Sequence, residues 1–130
     1  MYMGKSRFGS ARASYQNIDL SSRIEGASPH KLVAILFDEV LKTLDAMAAA
    51  AERGDKGQVA SRQARALSIL GGLEGSLDME RGGEIAQSLA SIYREARRLT
   101  LKAGRECDAE QVVHVRAMLH DIATAWEAIG

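Results

Sequence analysis

The chain has 130 residues, 46% hydrophobic but only 5% aromatic, and its 17 Lys and Arg balance 17 Asp and Glu to a net charge of zero. That length suits one domain, which buries about two thirds of its unfolded surface around Ala, Leu, Ile and Val without metals or disulfides. Zero charge argues against nucleic acid or an anionic membrane as the main partner, and no run approaches the ~20 apolar residues that span a bilayer.

Met1 to Ser14 carry Lys5, Arg7 and Arg12 with no apolar run behind them, so the start does not read as a secretory signal. Gly and Ser are scattered through the first 27 residues and no helical period persists there. Residues 1–27 therefore read as a flexible N-terminal segment, with Tyr15, Ile18 and Leu20 as apolar anchors able to lie on the rest or let go. Residues 28–130 read as a helical bundle. Ser28-Pro29 opens the first helix, since Ser28 can accept from a free backbone amide and Pro29 fits the first helical position. Leu32, Ile35, Leu36, Val40, Leu44, Met47 and Ala51 then recur at three-four spacing, and Val33, Phe37 and Leu41 widen the stripe. Gly54 stops this helix and Asp55 caps the next, whose stripe is Val59, Ala66, Leu70, Leu73 and Leu77. Gly71, Gly72 and Gly75 weaken its end, or else let two helices approach closely.

Gly82-Gly83 is expected to separate the second helix from the third, where Ile85, Leu89, Ile92, Tyr93, Ala96, Leu99 and Ala103 keep the period. Gly104 stands where a left-handed cap is expected. Asp108 with Gln111 forms a variant capping box before the last stripe, Val112, Val115, Leu119, Ile122, Trp126 and Ile129. The one proline lies at a helix start, so the helices run uninterrupted. Short links force neighbours antiparallel. The expected fold is all-α, an antiparallel up-down-up-down four-helix bundle with a short N-terminal capping segment.

A search for chemistry returns no catalytic constellation. His114 and His120 fall on opposite faces of the last helix, His30 reads as exposed in the first turn of helix one, and the paired Glu-x-x-His motifs of di-iron bundles are missing. The lone Cys107 can form no internal disulfide, which suits the cytoplasm, and no sequence cue pairs it with a base. Gly82-Gly83 follow no strand and precede no lysine, so they are neither a P-loop nor a dinucleotide fingerprint. Asp38 and Glu39 are adjacent and diverge by about 100°, poor geometry for paired acid-base work. Arg94, Arg97, Arg98 and Arg105 read as a solvated face. No enzyme and no cofactor is expected. Helix one, however, is apolar around more than half its circumference. That surplus calls for a cover: the chain's own N-terminal segment, a second copy in a self-associating structural or regulatory bundle, or a partner helix.

Tyr15-Gln16, Ala27-Ser28-Pro29-His30-Lys31-Leu32-Val33, Leu36-Phe37-Asp38, Ser76-Leu77-Asp78, Gly82-Gly83-Glu84-Ile85-Ala86, Leu89, Tyr93 and Ala125-Trp126 together resemble the FliS family of flagellar secretion chaperones. The resemblance runs from about Tyr15 to Glu127. It implies a cytoplasmic chaperone that binds the C-terminal region of flagellin, prevents premature polymerisation, and meets the export-gate membrane protein FlhA when loaded. It also implies a partner-binding set: Tyr15 and Ile18 as a displaceable cap, Lys31 and Asp38 as polar contacts, and Leu32, Ile35 and Tyr93 as contacts in the groove. Leu32 and Ile35 fit the core equally well. The chain departs from the family pattern at Phe37, where Tyr is common, at Glu95, where a second aromatic often stands, and at Gly104, where Asn is common.

Overall fold

A computed structural model of the chain describes residues 24–129, which form α1 (Pro29–Glu52), α2 (Lys56–Gly75), α3 (Met79–Glu106) and α4 (Ala109–Ala128). An oxygen-bearing side chain starts each of them by accepting from an otherwise unpaired amide. Ser28 accepts from Lys31 N at 3.2 Å, Asp55 from Gln58 N at 3.1 Å, Asp78 from Arg81 N at 3.1 Å, and Asp108 from Glu110 N at 3.0 Å. The helices run antiparallel in a ring: α1 and α3 each pack against both α2 and α4. The diagonal pair α1 and α3 meets through side chains, with the Phe37 and Tyr93 rings 6.3 Å apart and tilted by 53°. This is the expected four-helix bundle.

Its core is one cluster drawn from all four helices, including Val40, Leu44, Met47, Val59, Leu70, Leu73, Tyr93, Ala96, Val112, Val115 and Leu119. Two threonine hydroxyls are buried beside it. Thr43 and Thr100 each bond a carbonyl one turn back, at 2.7 Å to Glu39 O and 2.7 Å to Ala96 O, which satisfies them locally. Outside the core, Arg94 and Arg97 reach across from α3 to Glu74 of α2 at 2.9 and 3.0 Å, Arg98 pairs with Glu95 on its own helix, and Arg65 joins Glu39 across α1 and α2 at 3.1 Å.

Several local expectations need correction. The chain leaves α2 earlier than expected, at Ser76–Asp78, where Asp78 supplies a capping carboxylate, and the break expected at Gly82-Gly83 is met one turn later by a non-helical residue, Gly83. The α2 helix runs on through Gly71 and Gly72 to Gly75, and Gly83 lies within α3 as a corner at φ 52°, ψ −129°. The left-handed cap of α3 is Cys107, at φ 50°, ψ 46°, and not Gly104. Cys107 N bonds Gly104 O at 3.2 Å and Asp108 N bonds Ala103 O at 3.1 Å, the paired bonds of a Schellman motif. The same pair closes α1, there with Gly54 at the left-handed position. Gly104 is helical, and its missing Cβ leaves room for the Gln63 side chain of α2. The capping box forms by half: Asp108 accepts from the Gln111 amide, but Gln111 Nε2 returns to the Asp108 carboxylate at 2.9 Å and not to its backbone.

The surplus on helix one is also smaller than its sequence suggests. With a neighbour on either side, α1 buries Phe37 and Val40 and packs Val33, Leu36 and Leu41 partly against the core. The capping segment and flexible stretch expected before residue 24 lie outside the described residues.

Candidate functional site

One open apolar surface of the bundle lies at one end; Leu101, 40% exposed, and Val113, 54% exposed, lie away from it. The ring order brings the starts of α1 and α3 together with the ends of α2 and α4. The α3 helix opens at this end with a single turn, Met79–Gly82, set off from the run that continues to Glu106 by the non-helical Gly83. Ile85 stands on the same stripe as Leu89 and Ala96, one that faces the core further along, yet it is 73% exposed. Met79, 47% exposed, and Ile129, 74% exposed, add apolar surface at the chain positions that flank this end.

Between these parts lies a cavity of about 330 Å³. Its apolar lining comes from Val33 of α1, Leu77 of the α2–α3 link, Ile85, Ala86, Leu89 and Tyr93 of α3, and Trp126 of α4. Ser76, Asp78, Arg81 and Gly82 complete it. Tyr93 is 2% exposed, and its burial pushes the phenol up to about 12, so the hydroxyl stays protonated at any physiological pH. Trp126 is held by a clasp. Its Nε1 donates to His30 O at 3.0 Å, and its ring stacks on the His30 imidazole at 4.5 Å with the planes 13° apart. His30, expected to be exposed, is therefore half-buried; the clasp ties the end of α4 to the first turn of α1.

The chemistry this lining offers is shape and desolvation. Apolar walls with a few polar groups at one margin suit an apolar side chain carried on an amphipathic helix or extended segment. Among the described residues no cluster of His, Cys, Asp or Glu could hold a metal ion, and no helix is long and apolar enough to cross a membrane. A second cavity of about 350 Å³, between α3 and α4, is lined by Leu99, Lys102, Asp108, Glu110, Gln111 and His114. There hydrogen bonds from Gln111 hold the Asp108 carboxyl below its ordinary range.

The partner-binding residues taken from the family resemblance divide into three. Tyr15 and Ile18 lie outside the described residues. Lys31, Ile35 and Asp38 follow one another at helical spacing along the side of α1 away from Val40 and Leu44, with Leu32 at its edge. Lys31 and Asp38 are exposed, Leu32 is half-buried, and Ile35 is 3% exposed without belonging to the central cluster. Tyr93 is not with them; it lines the end cavity. Sequence reasoning passed over Val33, Leu77, Ile85 and Trp126 as site residues because each obeys the core periodicity. The available signal was Asp78, a capping residue that adds a turn to the start of α3 ahead of Gly82-Gly83.

Comparison with known proteins identifies the family. The family model for the flagellar protein FliS matches residues 11–130. The flagellar secretion chaperone FliS of Salmonella typhimurium is 34% identical over 117 residues, covering 89% of this chain and 87% of that protein. FliSB of Pseudomonas aeruginosa, a flagellar secretion chaperone, is 29% identical over 92% of this chain and 95% of its own length. The Vibrio cholerae flagellar secretion chaperone FliS is 31% identical over 93% and 88%. A family match across nearly the whole chain, with relatives above 30% identity at this coverage, means that the chain belongs to the FliS family.

Proposed function

We propose that this protein is a flagellar secretion chaperone that binds the C-terminal segment of flagellin in the cytoplasm, keeps it from polymerising, and carries it to the export gate, where the loaded complex meets FlhA. The observation that carries the binding step is the apolar end cavity with Ile85 left exposed on the inner stripe of α3. An amphipathic client segment that seats an apolar residue there extends the core by one layer and hides the client's own adhesive face. Lys31, Leu32 and Asp38 on α1 offer a second contact line for the same segment, with the Tyr15 and Ile18 region as its competitor. Binding of this kind needs no cofactor and no catalysis. It orders a flexible client at a cost of ~2–5 kcal/mol, which keeps affinity below what the buried area alone suggests.

Calorimetry with a flagellin C-terminal peptide tests the reading. A 1:1 complex with a negative heat-capacity change is expected. A stable dimer of the protein that ignores the peptide would overturn it in favour of self-association.

A further inference from the structure

The first turn of α3 borders the end cavity through Asp78, Arg81 and Gly82, yet little packing holds it in place. Met79 is 47% exposed, Glu80 is exposed, and the Arg81 side chain is 91% exposed. Gly82 N bonds Asp78 O at 2.7 Å, Arg81 N bonds Asp78 Oδ1 at 3.1 Å, and the Arg81 guanidinium pairs with the Asp78 carboxylate at 3.8 Å, all within the turn, which the non-helical Gly83 sets off from the rest of α3. A single turn has no cooperative stability of its own. What aims it is the backbone corner at Gly83, whose φ of 52° and ψ of −129° lie in a region that glycine enters freely and other L-residues avoid. Gly82 adds a second constraint, because a Cβ there would stand 2.7 Å from the Ala86 Cβ.

We infer that Gly83 is a positioning residue for client binding: its corner turns Met79–Gly82 into a wall of the cavity, and the shape of the cavity depends on that corner. The inference rests on the end cavity being the client site. An L-residue at 83 faces two ways to relieve its strain, distorting the bundle or releasing the turn. Releasing the turn disturbs almost no buried contact, so the wall moves and the helices stay.

Titration of the full chain with a flagellin C-terminal peptide, alongside helical content and thermal midpoint, tests this. Gly83→Ala is expected to weaken binding by about tenfold, equivalent to ~1.4 kcal/mol, with the helices intact. Chemically synthesised protein carrying D-alanine at residue 83, which accepts positive φ, is expected to bind as the natural chain does. Gly82→Ala displaces the same turn by contact with Ala86 and is expected to weaken binding too, which keeps a test available if Gly83→Ala does not fold. Unchanged affinity in the folded L-variants, or weakening that D-alanine fails to restore, overturns the inference. Ile85→Asp separates the two levels: if it also leaves affinity unchanged, the cavity is not the client site; if it weakens binding while Gly83→Ala does not, only the role of Gly83 falls.

Discussion

Truncating Ile85 to alanine separates a binding residue from a core residue. In the free protein its side chain is already 73% exposed, so the substitution removes little burial and creates no sealed cavity. Alanine is also the better helix former by a few tenths of a kcal/mol, so the thermal midpoint should stay level or rise slightly. In the complex the side chain goes from mostly exposed to covered. Full burial of an isoleucine side chain contributes about 1.5–3 kcal/mol, so the remaining 73% is worth roughly 1–2 kcal/mol. That corresponds to about 5- to 30-fold in the dissociation constant. Calorimetric titration of both proteins with the same peptide, paired with thermal melts, measures both quantities. Unchanged affinity refutes the placement of the client. A midpoint lowered by many degrees refutes the claim that Ile85 lacks partners in the free bundle.

Three further outcomes follow from the geometry. Cys107→Gly relieves a non-glycine residue of its left-handed conformation, and should stabilise the bundle by about 0.5–1 kcal/mol, a few degrees in thermal midpoint; a drop would mean that the Sγ contact near Ala51 O, at 4.0 Å, matters more than the backbone. Tyr93 keeps its proton more tightly folded than unfolded, so its share of stability is intact below pH 10 and falls as pH rises through about 12. That loss, about 3 kcal/mol once complete, should begin to appear in urea midpoints above pH 10 and be missing from Tyr93→Phe; parallel curves for the two proteins would contradict it. Trp126→Phe removes the bond to His30 O and should cost about 0.5–1.5 kcal/mol in chemical denaturation, with the loss confined to the end of the bundle as read by hydrogen exchange.

The helices were legible because their signals are local. Ser28, Asp55 and Asp108 are caps defined by one side chain and an amide two or three residues on, and the apolar stripes report a period of 3.6 that survives without knowledge of neighbours. The end of α2 was harder. Three glycines weaken its propensity, but packing of Leu70 and Leu73 outweighs them and the helix continues to Gly75. Asp78 was overlooked as a cap because the double glycine nearby is the louder break signal; Gly83 does leave the helical region, but one turn after Asp78 has already started α3. Cys107 shows the same limit from the other side. Gly104 has the residue type for a left-handed cap, but the Gln63 side chain needs the space above it, a tertiary fact that no local rule contains.

The candidate site was less legible than the fold for a related reason. Ile85 and Trp126 carry the pattern of core residues, and only the arrangement of helix ends leaves one exposed and the other on a cavity wall. Much of the apolar excess on helix one packs against the neighbouring helices, Phe37 and Val40 in the core and Val33, Leu36 and Leu41 beside it. The line from Lys31 to Asp38 lies on the side of α1 away from Val40 and Leu44, and Tyr93 lines the end cavity apart from it.

The central claim is that the end cavity receives the flagellin C-terminal segment. Amide hydrogen exchange of the full chain, with and without a saturating flagellin C-terminal peptide, reads it most directly. New protection is predicted in the first half of α3, in the α2–α3 link and at the end of α4. Protection confined to other surfaces, or none despite a formed complex, would contradict it.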